Sequence, residues 1–213
     1  MVAVKAQATE HLVLTTWCGP PFVTQSQDGH FDKLLIRAFA RLGKTISIEI
    51  KPAERSLADA NQGLTDGEFI RISAIGDMYP NLIKVPEPLY QMEFVVFSKM
   101  PQLTVTENWQ GLAGYSIGYV IGWKIVENHL SAMGSSEHIG VNNEDTLFKL
   151  LAAGRIDVAV YSKHFGLNAI KRLGLNGIYM SDNALAEEPM YLFLHKRHRE
   201  LIPDLASVLR ERD

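Results

Sequence analysis

Asn61-Gln62-Gly63-Leu64-Thr65-Asp66-Gly67-Glu68-Phe69-Ile70-Arg71-Ile72 reads as a helix end, a glycine stop, a short loop through an aspartate, and a strand. Helical spacing over Ala53 to Gln62 leads into it. Glycine supplies the left-handed backbone that closes a helix, and a helix-to-strand loop of this length is usual in α/β units. The same order returns later in the chain. Asn143 to Ala153 reads as a helix with Leu147, Leu150 and Leu151 on one side, stops at Gly154, and passes through Asp157 into Val158-Ala159-Val160. One α/β unit stated twice predicts two similar lobes.

Working outward, Leu12 to Thr16 is short, apolar and β-branched and stops at Gly19-Pro20-Pro21, the pattern of a strand followed by a loop. From Phe31 to Leu42 apolar residues recur at three and four, with Gly43 as the stop, and Ile46, Ile48 and Ile50 then alternate with polar neighbours. That β-α-β order favours a parallel sheet covered by helices. Further strands are expected at Glu93 to Ser98, Tyr115 to Val120 and Met190 to Leu194, and further helices at Lys124 to Met133 and Arg199 to Arg212. The chain is expected to cross between lobes near Phe97 and Pro189, giving a first lobe of residues 1–96 and 191–213 and a second of 97–190.

The composition excludes several classes. The 213 residues are 46% hydrophobic and 21% charged, with 21 basic and 24 acidic side chains and a net charge of −3. That is ordinary globular usage, without the basic footprint of a nucleic-acid binder. No run of about twenty apolar residues marks a membrane span. A single cysteine, Cys18, leaves no internal disulfide framework. The opening MVAVKAQATE has no apolar core of a signal peptide, although Ala6-Gln7-Ala8 fits the small-residue end of a removed one.

Most catalytic motifs fail on context. Gly114-Tyr115-Ser116-Ile117-Gly118 spells a hydrolase elbow, but its serine lies inside a strand rather than between strand and helix. Dinucleotide, phosphate-loop and zinc-protease signatures are absent from the sequence, so no cofactor or metal is expected. His195 and His198 sit among Lys196, Arg197 and Arg199 and read as a hydrated basic corner rather than a metal site. Cys18 reads as a small apolar filler.

Other residues pose a question. Parallel strands are covered on both faces and should be continuously apolar, yet Glu68 and Arg71 interrupt theirs. Ligands of open α/β sheets bind at the carboxyl ends of strands. Glu68 and Arg71 are therefore candidates for a ligand site or for a structural ion pair with a helix, and Arg55 either points into the same crevice or is a solvated first-turn arginine. Trp17, Phe22 and Tyr90 either stack on a ligand or close the core beneath a loop. At Gly122-Trp123 a strand turns into a helix, where free N–H groups attract an anion. Asn142, in the loop before the second repeated helix, and Tyr161, after its strand, complete the candidate set.

The chain resembles the bacterial extracellular solute-binding proteins of family 3, associated with polar amino-acid uptake by ABC transporters. The resemblance runs over nearly the whole sequence. It rests on Gly19-Pro20-Pro21-Phe22, Gly29-His30-Phe31-Asp32, Asn61 to Gly67, Val85-Pro86-Glu87-Pro88-Leu89-Tyr90, Trp109-Gln110-Gly111-Leu112, and Ala153-Gly154-Arg155-Ile156-Asp157. It implies a two-lobed type II periplasmic-binding-protein-like α/β fold. Each lobe is a mostly parallel sheet flanked by helices, and two hinge strands join them. It further implies a monomeric, non-enzymatic periplasmic receptor that closes on a small polar or anionic ligand, amino-acid-like or carboxylate, and serves an ABC permease. Two departures bear on the ligand. Amino-acid binders usually carry an arginine where this chain has Ser73-Ala74-Ile75-Gly76-Asp77, and a carboxylate where it has Tyr161-Ser162. Arg71 and Glu68 stand as substitutes from the neighbouring strand, or the ligand differs. The alternatives are an enzyme similar to cyclohexadienyl dehydratases, with Glu68 as the acid–base group, and a ligand-sensing domain of a signalling protein.

Overall fold

A computed structural model of the chain describes residues 10–101, 108–133 and 137–211. The Ala6-Gln7-Ala8 reading lies outside those residues. The described chain divides into two compact units, one of residues 10–51, Arg55–Leu89 and 191–211, the other of Pro52–Glu54 and Tyr90–Met190. The strand from Glu93, which the sequence reading gave mostly to the first lobe, lies wholly in the second unit.

In chain order the elements are β1 (His11–Thr16), α1 (His30–Arg41), β2 (Thr45–Ile50), α2 (Ala53–Asn61), β3 (Gly67–Arg71), α3 (Ile75–Met78) and β4 (Leu82–Lys84). There follow β5 (Tyr90–Ser98), β6 (Ile117–Val120), α4 (Lys124–Met133), β7 (His138–Val141), α5 (Glu144–Ala152), β8 (Val158–Ser162) and α6 (Lys163–Arg172). The chain ends with β9 (Tyr179–Met180), β10 (Ala186–His195) and α7 (Ile202–Arg210). The first unit orders its strands β2-β1-β3-β10, with β1 parallel to β2 and β3, and the later half of β10 antiparallel to β3 and β4. The second unit orders β7-β6-β8-β5, with β6 parallel to β7 and β8, and β5 antiparallel to β8, to β9 and to the earlier half of β10.

The amphipathic spacing of α1 buries Phe31, Leu35, Ala38 and Phe39 against a sheet whose Leu12, Leu14 and Phe69 are inaccessible to solvent. Burying each large side chain contributes about 1.5–3 kcal/mol. On α2, Leu57 and Ala60 pack with Ile75, Leu82 and Phe193. In the second unit α5 buries Leu147, Phe148 and Leu151, and Phe148 meets Phe97 edge to face at 5.1 Å.

Both glycine stops are left-handed, Gly63 at φ +74° and Gly154 at φ +66°. Each following aspartate pins the adjacent strand. Asp66 Oδ2 accepts the Val13 N–H at 2.7 Å, and its own N–H donates to Val13 O at 2.7 Å. Asp157 Oδ2 accepts the Ser116 N–H and hydroxyl, both at 2.8 Å, and its N–H donates to Ser116 O at 3.0 Å. The repeated pattern is thus a repeated device, in which a carboxylate extends strand pairing into the loop.

Two expectations need correction. The last helix starts at Ile202, not Arg199, because Lys196–Leu201 form a 3-10 segment kinked at His198 and Pro203 sits in the first turn of α7. The histidine corner is also not merely hydrated. His198 Nε2 lies 2.6 Å from Asp66 Oδ1, Arg197 bonds both Asp66 and the Gly63 carbonyl, and the His195 N–H donates to Asp66 O at 2.8 Å. Among the described residues no helix is long and apolar enough to cross a membrane.

Candidate functional site

β3 is buried along its whole length although it carries two charges. In a regular strand, residues three apart point to opposite faces. Glu68 and Arg71 do not, because the register against β10 slips between them: Phe193 faces Glu68, Leu192 faces Phe69, and Tyr191 faces Arg71. Ile70 is the extra residue of a β-bulge. With it inserted, positions 68 and 71 relate as neighbours on one face, and Arg71 Nε donates to Glu68 Oε1 at 2.5 Å while Nη2 reaches the same oxygen. Glu68 is inaccessible to solvent and Arg71 is 4% exposed, so both charges are held out of bulk water.

The bulge is strained. Ile70 has φ +63°, a left-handed conformation unfavourable for a β-branched side chain. Such a residue costs of order 1–3 kcal/mol and persists only when its surroundings over-determine it. The end of β1 does that. Backbone pairing of β1 with β3 stops at Thr15 and Glu68. Beyond it side chains take over: Thr16 Oγ1 donates to Phe69 O at 3.1 Å, and the Trp17 indole N–H donates to Ile70 O at 3.2 Å. Thr16 Oγ1 also accepts the Cys18 N–H at 3.2 Å.

The structure therefore brings Trp17, Glu68 and Arg71 together at one strand end of the first unit. Phe22 belongs to the packing behind it, stacked on Phe31 at 5.8 Å, while Phe31 meets Phe69 edge to face at 6.2 Å. Arg55 is exposed on the first turn of α2.

In the second unit Trp123, Tyr161, Gly122 and Tyr90 meet partners of the same unit. Trp123 and Tyr161 are 5% and 1% exposed and stack on each other at 4.2 Å, with Phe94 and Phe148 edge-on to them. The Gly122 N–H donates to Glu127 Oε1 at 2.7 Å, so a carboxylate of α4 itself occupies the turn expected to attract an anion. Tyr90 opens β5 with its hydroxyl 2.5 Å from His164 Nδ1 and its ring edge against Phe165 of α6. Asn142 is exposed beside Asn143, whose side chain caps α5 by accepting the Thr146 N–H at 2.9 Å.

Sequence reasoning found the charged pair but missed the bulge that makes it a pair, together with the role of Thr16. No glycine marks the left-handed residue, so nothing local signalled it. Among the described residues no group of three or more His, Cys, Asp or Glu side chains is placed to hold a metal.

No protein-family model matches the chain. An "Uncharacterized protein" of Shewanella oneidensis is 29% identical over 179 residues, 82% of this chain and 67% of that protein. Among solved structures, an ancestral arginine-binding protein bound to arginine superposes with TM-score 0.79 at 17% identity, over 96% of this chain and 93% of that one. A histidine kinase sensor domain with similarity to periplasmic binding proteins also gives 0.79 at 17%, over 95% and 89%. Holo ArgBP from T. maritima gives 0.77 at 17%, over 94% and 89%. The chain has the mixed α/β fold of these periplasmic-binding-protein-like molecules.

Proposed function

We propose that this protein is a non-enzymatic receptor for a small polar or anionic molecule, amino-acid-like or carboxylate, anchored at the β3 end of the first unit. The observation that carries the reading is the buried Glu68–Arg71 pair on a strained bulge. A buried ion pair is a poor way to gain stability, because desolvation offsets most of its attraction, and strain clusters where function requires it. Arg71 offers a guanidinium to an anionic group, Glu68 sets its orientation, and the Trp17 ring borders the strand end. Arginine recognition by several fold neighbours supports an amino-acid-like ligand. The pattern of family 3 solute-binding proteins supports delivery to an ABC permease from the periplasm. A second reading, a ligand-sensing domain, is favoured by the histidine kinase neighbour and uses the same anchor.

The test is a thermal-shift panel of amino acids including arginine, small carboxylates, aromatic acids and polyamines. A ligand at a hundredfold excess over Kd stabilises the folded protein by about 2.7 kcal/mol. Stabilisation by one chemical class supports the receptor. Prephenate or arogenate turnover, or no stabilisation by any compound, contradicts it.

A further inference from the structure

Away from β3, a groove of about 460 Å3 runs between α1 and α7. Its floor is apolar, formed by Leu34 and Ala38 of α1 and Val208 and Leu209 of α7. Its rim carries the cations Lys33, Arg37 and Arg41, which with His30 recur at spacings of three and four along one side of α1. Those eleven steps span about 16 Å of helix. Arg41 is engaged, its Nη2 lying 2.5 Å from Glu211 Oε2. Lys33 and Arg37 are exposed, and neither side chain forms an ion pair with a described residue. A protein of net charge −3 thus sets two exposed cations, Lys33 and Arg37, one helical turn apart beside an apolar trough.

We propose that this groove docks an acidic amphipathic helix of a partner protein. The spacing selects this occupant. A small one-headed anion satisfies a single turn of the rim, whereas carboxylates three and four residues apart on a helix meet successive turns of α1. Apolar side chains on the helix's inner face then enter the trough, as in helix-in-groove recognition. A flat anionic bilayer reaches the rim but not the floor of a concave site. The proposal is independent of the β3 anchor, which uses none of these residues.

The experiment measures fluorescence anisotropy of a labelled peptide about four helical turns long, with Glu on one side and Leu on the other. The peptide is expected to bind saturably, more weakly as salt rises, and about tenfold or more weakly to the Lys33→Glu/Arg37→Glu protein. A Lys-for-Glu version of the peptide is expected to prefer that variant, and the Glu68→Gln/Arg71→Met protein to bind the acidic peptide like the unaltered one. Circular dichroism checks that each variant is folded. Absence of saturable binding, indifference to the charge reversal, or tighter binding of octanoate or phosphatidylglycerol vesicles through the same residues overturns the proposal.

Discussion

β3 and β8 occupy corresponding places in the strand orders β2-β1-β3-β10 and β7-β6-β8-β5. Both follow a helix, a left-handed glycine and a strand-pinning aspartate, and both are buried at every position. Their chemistry differs. β8 carries Val158, Ala159, Val160 and Tyr161, whose ring stacks on Trp123, and ends in Ser162. Hydrophobic burial and close packing account for it. β3 carries an ion pair and a left-handed isoleucine, each of which costs stability on its own. The scaffold does not require that departure, since β8 manages without it. The proposed anchor on β3 accounts for that difference.

The strongest way to break this comparison is to truncate one member of the pair. Arg71→Ala leaves Glu68 charged and buried and is expected to cost about 3–5 kcal/mol in urea unfolding. Ser162→Ala at the end of β8 is expected to cost under about 1 kcal/mol, since the Ser162 hydroxyl is buried without a hydrogen-bond partner among the described residues. Equal costs would mean that the two strands do the same work.

The two aspartates sharpen the contrast. Asp66 is a hub, receiving Val13, Arg197 and His198, whereas Asp157 is exposed and among the described residues receives only Ser116. Asp66→Ala is expected to cost about 2–3 kcal/mol and Asp157→Ala about 1 kcal/mol. Burial raises the Asp66 pKa, but the Val13 N–H, His198 and Arg197 outweigh it and hold the carboxyl below its ordinary 3.8. Hydrogen bonds from Ser116 lower Asp157 in the same sense. A carboxyl with a lowered folded pKa stabilises fully above the unfolded value and loses that contribution as pH falls through the folded one. Stability measured from pH 5 down to pH 2 is expected to fall, and less steeply in Asp66→Ala and in Asp157→Ala than in the unaltered protein, because each removes one carboxyl whose folded pKa is lowered.

A smaller effect probes the clamp. Trp17→Phe keeps an aromatic ring, though a smaller one, and removes the N–H that holds Ile70 O, with an expected cost of about 1 kcal/mol. Amide exchange should quicken at β3 and not at β8. Uniform quickening would show that Trp17 serves general packing rather than the bulge.

The doubled α/β unit was legible because glycine and aspartate have few other reasons to recur in that order. α6 was not, since Gly166 interrupts its pattern. A Cβ there would lie 2.4 Å from the Phe97 ring, so close packing against β5 takes precedence over helix propensity. Trp123 and Tyr161 entered the candidate set from their places at strand ends, and their stacking on each other was not legible, because an aromatic there has the same sequence signature in a core as in a site. Glu68 and Arg71 were visible as charges out of place. Their pairing was not, because it depends on Ile70 adopting a conformation that its side chain disfavours.

The most direct test of the β3 anchor runs the ligand panel on the Glu68→Gln/Arg71→Met protein beside the unaltered one. Replacing both charges avoids stranding either, so the variant is expected to unfold within about 2 kcal/mol of the parent. The account predicts a folded protein that no longer responds to the compound class stabilising the parent. An undiminished response in the folded variant would contradict it.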